Sequence, residues 1–285
     1  MSANKRSLFS RSLCGAYLAL LVGLAGGDAR GEKFRHSWLN PTPSAELREL
    51  STDRPDATEG PFTVDAGHTQ LEMDVVNHRT NRLEGVRTKG WSAAAFNLRF
   101  GLLDDFELGI FVSPYVHASE TQRVGRREVS SGFGDVTLRA KVNFWGNNGG
   151  TSALGLIADL KLPTAARGLG SDSLEGAVLL PVSLELGHGW ELGAMTGMGL
   201  RRRASSSGRR GVGINSATTG HGITEALAGY VELTAETGDG APVAAFDAGL
   251  TLQLNRNTQV DVGVQFGLSR NADDVVVFVG WTQRY

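Results

Sequence analysis

The stretch Gly134–Trp145, which reads GDVTLRAKVNFW, decides the fold class because polar and apolar residues alternate along it. Side chains at every second residue of a strand point to the same side of the sheet. One side receives Val136, Leu138, Ala140, Val142 and Phe144, and the other receives Asp135, Thr137, Arg139, Lys141 and Asn143. The stretch therefore predicts a β-strand with one apolar and one polar face.

The same alternation recurs in AFDAGLTLQLN at 245–255 and QVDVGVQFGLS at 259–269. These runs approach the ~9–11 residues that a tilted strand needs to cross a bilayer, about twice the ~5–6 common in soluble sheets. A soluble β-sandwich would alternate as well. In run after run, however, the apolar face carries no charge while the polar face carries acids and bases at mid-strand. This pattern predicts an all-β fold, a transmembrane antiparallel up-and-down β-barrel.

Twelve such runs follow one another between residues 67 and 285, and 212–219 is the weakest because it is short and has little apolar character. The runs lie near 67–78, 91–101, 106–118, 134–145, 151–162, 176–186, 190–200, 212–219, 224–236, 243–254, 259–269 and 275–285. Short turns alternate with longer polar connections, of which 79–90 and 119–132 are examples. This asymmetry is typical of outer-membrane barrels, and an even number of strands returns both ends to the periplasm.

Composition excludes several other classes of protein. The chain of 285 residues has 28 basic and 30 acidic residues, so no basic excess indicates a nucleic-acid partner. A mean hydropathy of -0.14 is too low for a bundle of membrane-spanning helices.

The N-terminus predicts a secretory signal peptide over residues 1–29. Lys5 and Arg6 precede the apolar stretch Leu13–Ala25, and small residues follow at 27–29. The single cysteine, Cys14, lies inside this segment. We therefore expect three parts: the signal peptide, a periplasmic linker at 30–66 with a possible short helix at 41–50, and a barrel at 67–285.

The linker ends in the sequence STDRPDATEGPFTVDAGHTQLE, residues 51–72. This stretch resembles a bacterial family named for the meta-pathway of phenol degradation. The match also includes NTQVDVG at 257–263 and the C-terminal VFVGWTQRY, and Gly60 stands where the family often has serine. The resemblance implies an outer-membrane, transporter-like barrel and, loosely, a link to aromatic compounds.

The charged motif just before the first strand suggests a gate or plug. Its residues are Thr52, Asp53, Arg54, Pro55, Asp56, Thr58 and Glu59. Barrels of eight strands are filled by side chains and those of sixteen carry a channel, so twelve strands leave room for a plug or a narrow pore. In one hypothesis the motif enters the periplasmic mouth and Arg54 pairs with Glu72 or Asp74. In the other it is an ordered turn that starts the barrel.

The polar faces of the strands supply candidate residues for the barrel lumen. They are Glu72, Asp74, Arg99, Glu107, Arg139, Lys141, Asp159, Lys161, Glu185, Glu232, Asp247 and Asp261. In a channel for passive uptake of small, possibly aromatic, organic compounds these charges set the field of the pore. The alternative is that they pair across the lumen and close it, which gives a structural or ligand-binding barrel without conductance.

No motif indicates an enzyme, a cofactor or a metal site. The six histidines show no HxxxH spacing, and the sequence contains no Gly-x-Ser-x-Gly. The expected partners are outer-membrane lipid, a small organic solute and the outer-membrane assembly machinery, which would read the aromatic C-terminal residue Tyr285.

Overall fold

The computed structural model describes residues 35–203, 208–238 and 240–285, so the predicted signal peptide and residues 30–34 lie outside the described part. The described chain forms one antiparallel sheet of fourteen strands that closes on itself. The strands are β1 Thr69–Leu83, β2 Val86–Leu103, β3 Phe106–Val112, β4 Tyr115–Thr121, β5 Arg127–Gly132, β6 Val136–Trp145, β7 Ser152–Leu162, β8 Glu175–Gly187, β9 Trp190–Arg202, β10 Arg209–Gly222, β11 Leu227–Gly238, β12 Val243–Asn255, β13 Thr258–Gly267 and β14 Val275–Arg284.

These strands occupy twelve positions around the barrel, which confirms the predicted number. β3 and β4 both pair with β2, so together they fill the third position. β5 pairs with β4 and β6 pairs with β3, so these two fill the fourth. Pro114 lies at the break between β3 and β4, where it has no N–H to give to a ladder.

The barrel closes where β1 pairs with β14 as well as with β2. At this seam the Tyr285 amide donates to the Thr69 carbonyl at 2.8 Å, and the Thr69 amide donates back at 3.3 Å. This pairing leaves no open edge at the seam, as strands in lipid require because no water is there to bind free backbone groups.

Apolar side chains lie on the outside of the barrel and charged ones on the inside, the reverse of a water-soluble protein. Leu138, Leu250 and Val262 are 43%, 44% and 45% exposed on the outside, whereas Lys141 and Glu107 are fully buried within. An apolar exterior around a charged interior is the arrangement of a barrel that crosses a bilayer.

Two predicted connections on the side away from Tyr285 are strands instead of loops. At 79–90, β1 and β2 continue as a hairpin that turns at Glu84 and Gly85, both with positive φ (52° and 81°). At 119–132, β4 and β5 form a second hairpin. Polar sequence marks where side chains leave the lipid, but antiparallel backbones keep pairing beyond that level.

Of two further local predictions, the strand at 212–219 is confirmed in a longer form, and the helix at 41–50 was wrong. The weak run 212–219 is part of the 14-residue strand β10, which pairs fully with β9 and β11. Backbone pairing on both sides sustains it despite its low apolar content. The possible helix at 41–50 is a turn at 44–46 followed by irregular chain, in which Arg48 binds Asp65 and the Asp104 carbonyl between β2 and β3. The described residues include no helix suited to crossing a membrane.

Lipid exposure predicts the effect of charge on adjacent residues of β12. We expect Leu250→Arg to lower the free energy of unfolding by about 2–4 kcal/mol, because Leu250 faces lipid near mid-strand. Thr251→Arg, whose side chain faces the lumen, is the control and should change it far less. Urea unfolding in lipid vesicles measures both; equal losses would contradict the assigned faces.

Candidate functional site

Residues 51–65, here called the lumen segment, run inside the barrel. They contact inward-facing residues on β1, β2, β6, β11 and β13, strands from all around the wall. Pro61, Thr63, Val64 and Asp65 are buried. A segment that touches so many strands from within occupies the lumen itself.

Arg54 holds the segment to the acidic part of the wall. Its Nη1 lies 2.5 Å from Asp74 Oδ1, and its Nη2 lies 2.8 Å from Asp261 Oδ1. The Asp261 side chain is fully buried, so it depends on Arg54 for its counter-charge. The structure thus brings Asp74, one of the two expected carboxylates, to Arg54, and it places Asp261 where Glu72 was expected.

Asp53 faces the basic part of the wall. Its carboxylate oxygens accept bonds from Lys141 Nζ at 2.6 and 2.7 Å, and Arg99 Nη1 is 3.4 Å away. Burial by itself favours the neutral acid, but the charges of Arg99, Lys141 and Arg139 lower the pKa of Asp53 below its usual value. Asp53 is therefore an anion at neutral pH, bound among three cations.

The wall cations are also paired with wall acids. Arg99 binds Glu72 at 2.6 Å and Glu107 at 2.8 Å. Arg139 donates two bonds of 2.8 Å to Asp159, and its guanidinium lies 4.5 Å above the Phe111 ring. Glu72 and Glu107 also accept from the backbone amides of Asp53 and Val64 in the lumen segment.

The second half of the motif meets the opposite wall. The Ala57 amide donates to Glu232 at 2.9 Å, and the Thr58 hydroxyl contacts both Glu232 and Ser216. Burial and the nearby carboxylates of Glu232 and Asp247 raise the pKa of Asp56 well above its usual value. Asp56 thus lies beside acids on this side of the lumen.

Glu59 lies between the two halves. Burial raises its pKa to about 7. Arg139 Nη1 is 2.6 Å from Glu59 Oε2, but this cation already binds Asp159 and therefore offsets the cost of burial only in part.

Glycines in the wall make room for the segment. A Cβ added at Gly280 would collide with the Arg54 guanidinium, and one at Gly101 would collide with the Asp65 carbonyl. These positions accept no side chain while the segment is in place.

A group of contacts at the rim beside Tyr285, here called the latch, fixes the end of the segment. Asp65 binds Arg48 at 2.7 Å and Arg284 at 3.1 Å. Gly67, with φ of 79°, then turns the chain into β1, and His68 bridges the carbonyls of Thr42 and Tyr285. Sequence reasoning missed Arg48, Asp65 and Arg284, although alternation in the last strand places Arg284 on the same side as Thr282.

The predicted lumen residues divide into two groups. Eight surround the lumen segment: Glu72, Asp74, Arg99, Glu107, Arg139, Lys141, Glu232 and Asp261. Of the other four, Asp159 binds Arg139, Asp247 accepts from Tyr230 and lies near Asp56, Lys161 pairs with Glu175, and Glu185 lies beside the turn at 146–151. Their role in setting the field of a pore stays a prediction.

The lumen segment does not fill the whole interior. A cavity of about 780 Å³ lies between it and the wall formed by β7–β12, with the turn at 146–151 along its border. Thr58, Ser183, Gly193, Thr218 and Thr251 are among its lining residues.

Comparison with known proteins identifies relatives at the levels of sequence family and fold. The model of the family described as "Putative MetA-pathway of phenol degradation" matches residues 52–285. No curated protein is similar enough in sequence to count as a relative.

Two solved structures show the fold. An outer membrane channel from Pseudomonas putida F1 is 16% identical, with a TM-score of 0.61, over 82% of this chain and 100% of that one. The NanC porin is 6% identical, with a TM-score of 0.50, over 75% and 98%. The fold is thus that of outer-membrane β-barrels, as the sequence predicts.

The contact at Gly280 leads to a test of how the segment is held. Gly280→Ala should displace Arg54 and increase hydrogen exchange of the amides at 53–58 by at least about tenfold, which corresponds to ~1.4 kcal/mol. Gly211→Ala on β10, where an added Cβ meets nothing within 4 Å, is the matched control. Unchanged exchange in Gly280→Ala would contradict the docked position of Arg54.

The raised pKa of Glu59 predicts how docking of the lumen segment depends on pH. The buried Glu59 carboxyl has a higher pKa than its usual 4.5. Its contribution to the stability of the docked segment is therefore complete below pH 4.5 and is lost as the pH rises through about 7. Protection of the segment from hydrogen exchange, corrected for intrinsic rates, should fall between pH 5 and pH 8. Glu59→Gln should flatten this part of the profile, and an identical slope in the variant would exclude Glu59 as its cause.

Proposed function

The chain belongs to the family described as "Putative MetA-pathway of phenol degradation", and from this premise we propose that it is an outer-membrane channel for passive uptake of small organic compounds, aromatic ones included. The observation that carries the proposal is the cavity of about 780 Å³ beside the lumen segment. Its volume lies in the ~300–1,000 Å³ range of sites for small organic molecules.

The lining of the lumen supports apolar solutes in particular. Ile157, Leu179 and Met195 form a cluster on the inner side of β7–β9, with Ala177 and Ile214 packed against it. These side chains are buried and give this side of the interior an apolar character, which suits an aromatic ring better than a strongly hydrated solute. In the family description, the word phenol agrees with this chemistry.

In this proposal the lumen segment is a plug that narrows the channel. Undocking would separate Arg54 from the buried Asp261, and breaking a buried ion pair costs about 3–5 kcal/mol. The plug therefore stays docked most of the time and acts as a fixed constriction, with passage beside it.

A closed barrel without conductance is the second candidate, and the ion-pair network favours it. Arg99, Lys141 and Glu107 are almost completely buried and paired, so this part of the lumen is filled. We propose no catalytic activity for either candidate. Recognition of Tyr285 by the assembly machinery stays a prediction; its side chain is exposed beside the seam.

Planar-bilayer recordings of the purified protein distinguish the two candidates. We expect a small, steady conductance from the wild type and a larger or fluctuating one from Arg54→Ala, because the plug loses its hold on Asp74 and Asp261. Arg126→Ala, at an exposed position in the connection between β4 and β5, is the control and should match the wild type. Silence in all three folded proteins would exclude the channel.

If current is present, the solute is tested by competition. A neutral aromatic such as phenol should reduce the wild-type current at lower concentration than a sugar of similar size, because it is retained on the apolar cluster. Equal effects of the two solutes would contradict aromatic preference while leaving the channel intact.

A further inference from the structure

The part of the lumen segment that carries Asp53 and Arg54 is held to one side of the barrel. All the ion pairs of these two residues go to β1, β2, β6 and β13. Ala57 and Thr58 then reach across to Glu232 on β11 and Ser216 on β10. The cavity lies against β7–β12, so the free space is beside the plug rather than on the barrel axis.

The wall beside the cavity carries many small residues. Those that line the cavity include Ser183, Gly193, Thr218, Gly220, Gly229 and Thr251, among longer side chains such as Glu185, Glu191 and Tyr230. On the opposite wall stand the long side chains of Arg99 and Lys141, which reach inward to the segment. The small residues thus leave space on one side of the lumen.

Two acids face each other on this open side. Glu185 on β8 is directly opposite Glu191 on β9, and both line the cavity. Like charges at directly opposed positions destabilise a sheet. Ser183 donates to Glu191 at 2.6 Å, but within residues 35–203, 208–238 and 240–285 no lysine or arginine forms an ion pair with either acid. The stability of the sheet therefore does not explain why these two acids stand opposite each other.

The cations of the cavity lining do not balance these acids. Arg48 binds Asp65, and Arg54 binds Asp74 and Asp261, all of which lie outside the lining. Glu46 and Glu49 add further carboxylates to the lining. The charge that a solute meets in the cavity is therefore negative.

We propose that solutes pass off-axis along the β8–β12 wall, and that Glu185 and Glu191 make this passage favour cations and neutral molecules over anions. The proposal rests on the channel function proposed above. Carboxylates on a low-dielectric wall raise the local concentration of cations and exclude anions. Neutral aromatic compounds meet no such barrier and can reach the apolar cluster.

Single cysteines test the route. In channels carrying Thr251→Cys, on the free wall, a cationic methanethiosulfonate reagent should block most of the current. Thr282→Cys is the matched control, since Thr282 is completely buried on β14 and should not react. Block in the control, or none in Thr251→Cys despite labelling shown by mass spectrometry, would overturn the off-axis route.

Reversal potentials in a KCl gradient test the selectivity. We expect the wild type to prefer potassium over chloride several-fold and the double variant Glu185→Gln/Glu191→Gln to fall towards unity. The charge-matched control, Glu84→Gln/Glu128→Gln, changes two exposed residues on the far side of the barrel and should keep the wild-type ratio. A non-selective or anion-selective wild type, or a double variant that keeps the preference, would overturn this inference alone, whereas absence of any current would overturn the channel with it.

Discussion

Every other feature of this protein follows from the requirement that strands in lipid leave no backbone group unpaired. The ladder between β1 and β14 meets that requirement by closing the sheet. Once the barrel is closed, its apolar side chains have lipid to face and its polar side chains have only the interior. The charges collected there must then be compensated within a small volume, because a buried and unpaired charge is costly.

The lumen segment provides part of that compensation. Around Lys141 and Arg99 the wall carries cations that contact Glu72 and Glu107, and Asp53 brings them a further carboxylate, which Lys141 binds most closely. Near Asp74 and Asp261 the wall is acidic, and Arg54 brings a guanidinium. Two consecutive residues of opposite charge therefore match two opposite patches of the wall, which explains why the motif is so dense in charge. It also explains why the segment is held at one side.

This lateral position connects structure with transport. A plug on the axis would leave a ring of narrow gaps, whereas a plug against one wall leaves a single space large enough for an organic molecule. Many wall residues of that space are small. Its acids Glu185 and Glu191 stand opposite each other, whereas the charges on the other side of the lumen are joined in ion pairs. Outside this polar and acidic cavity, the buried cluster of Ile157, Leu179 and Met195 makes part of the interior apolar. A compound with a ring and few charges suits both parts.

The sequence by itself determined the barrel, its twelve strand positions and the facing of residues such as Lys141 and Leu138, because a period of two fixes which side each residue takes. It also suggested the hypothesis that Arg54 in the motif at 52–59 pairs with an acid of the lumen wall. It did not determine where β1 and β2 end, since polar strands pair beyond the lipid as readily as within it. Nor did it determine that Arg54 binds Asp261, which is 207 residues away, or that Arg284 closes a latch on Asp65. Those contacts depend on the curvature and stagger that closure imposes on the sheet, so only the tertiary structure decided which side of the lumen is filled and which stays open.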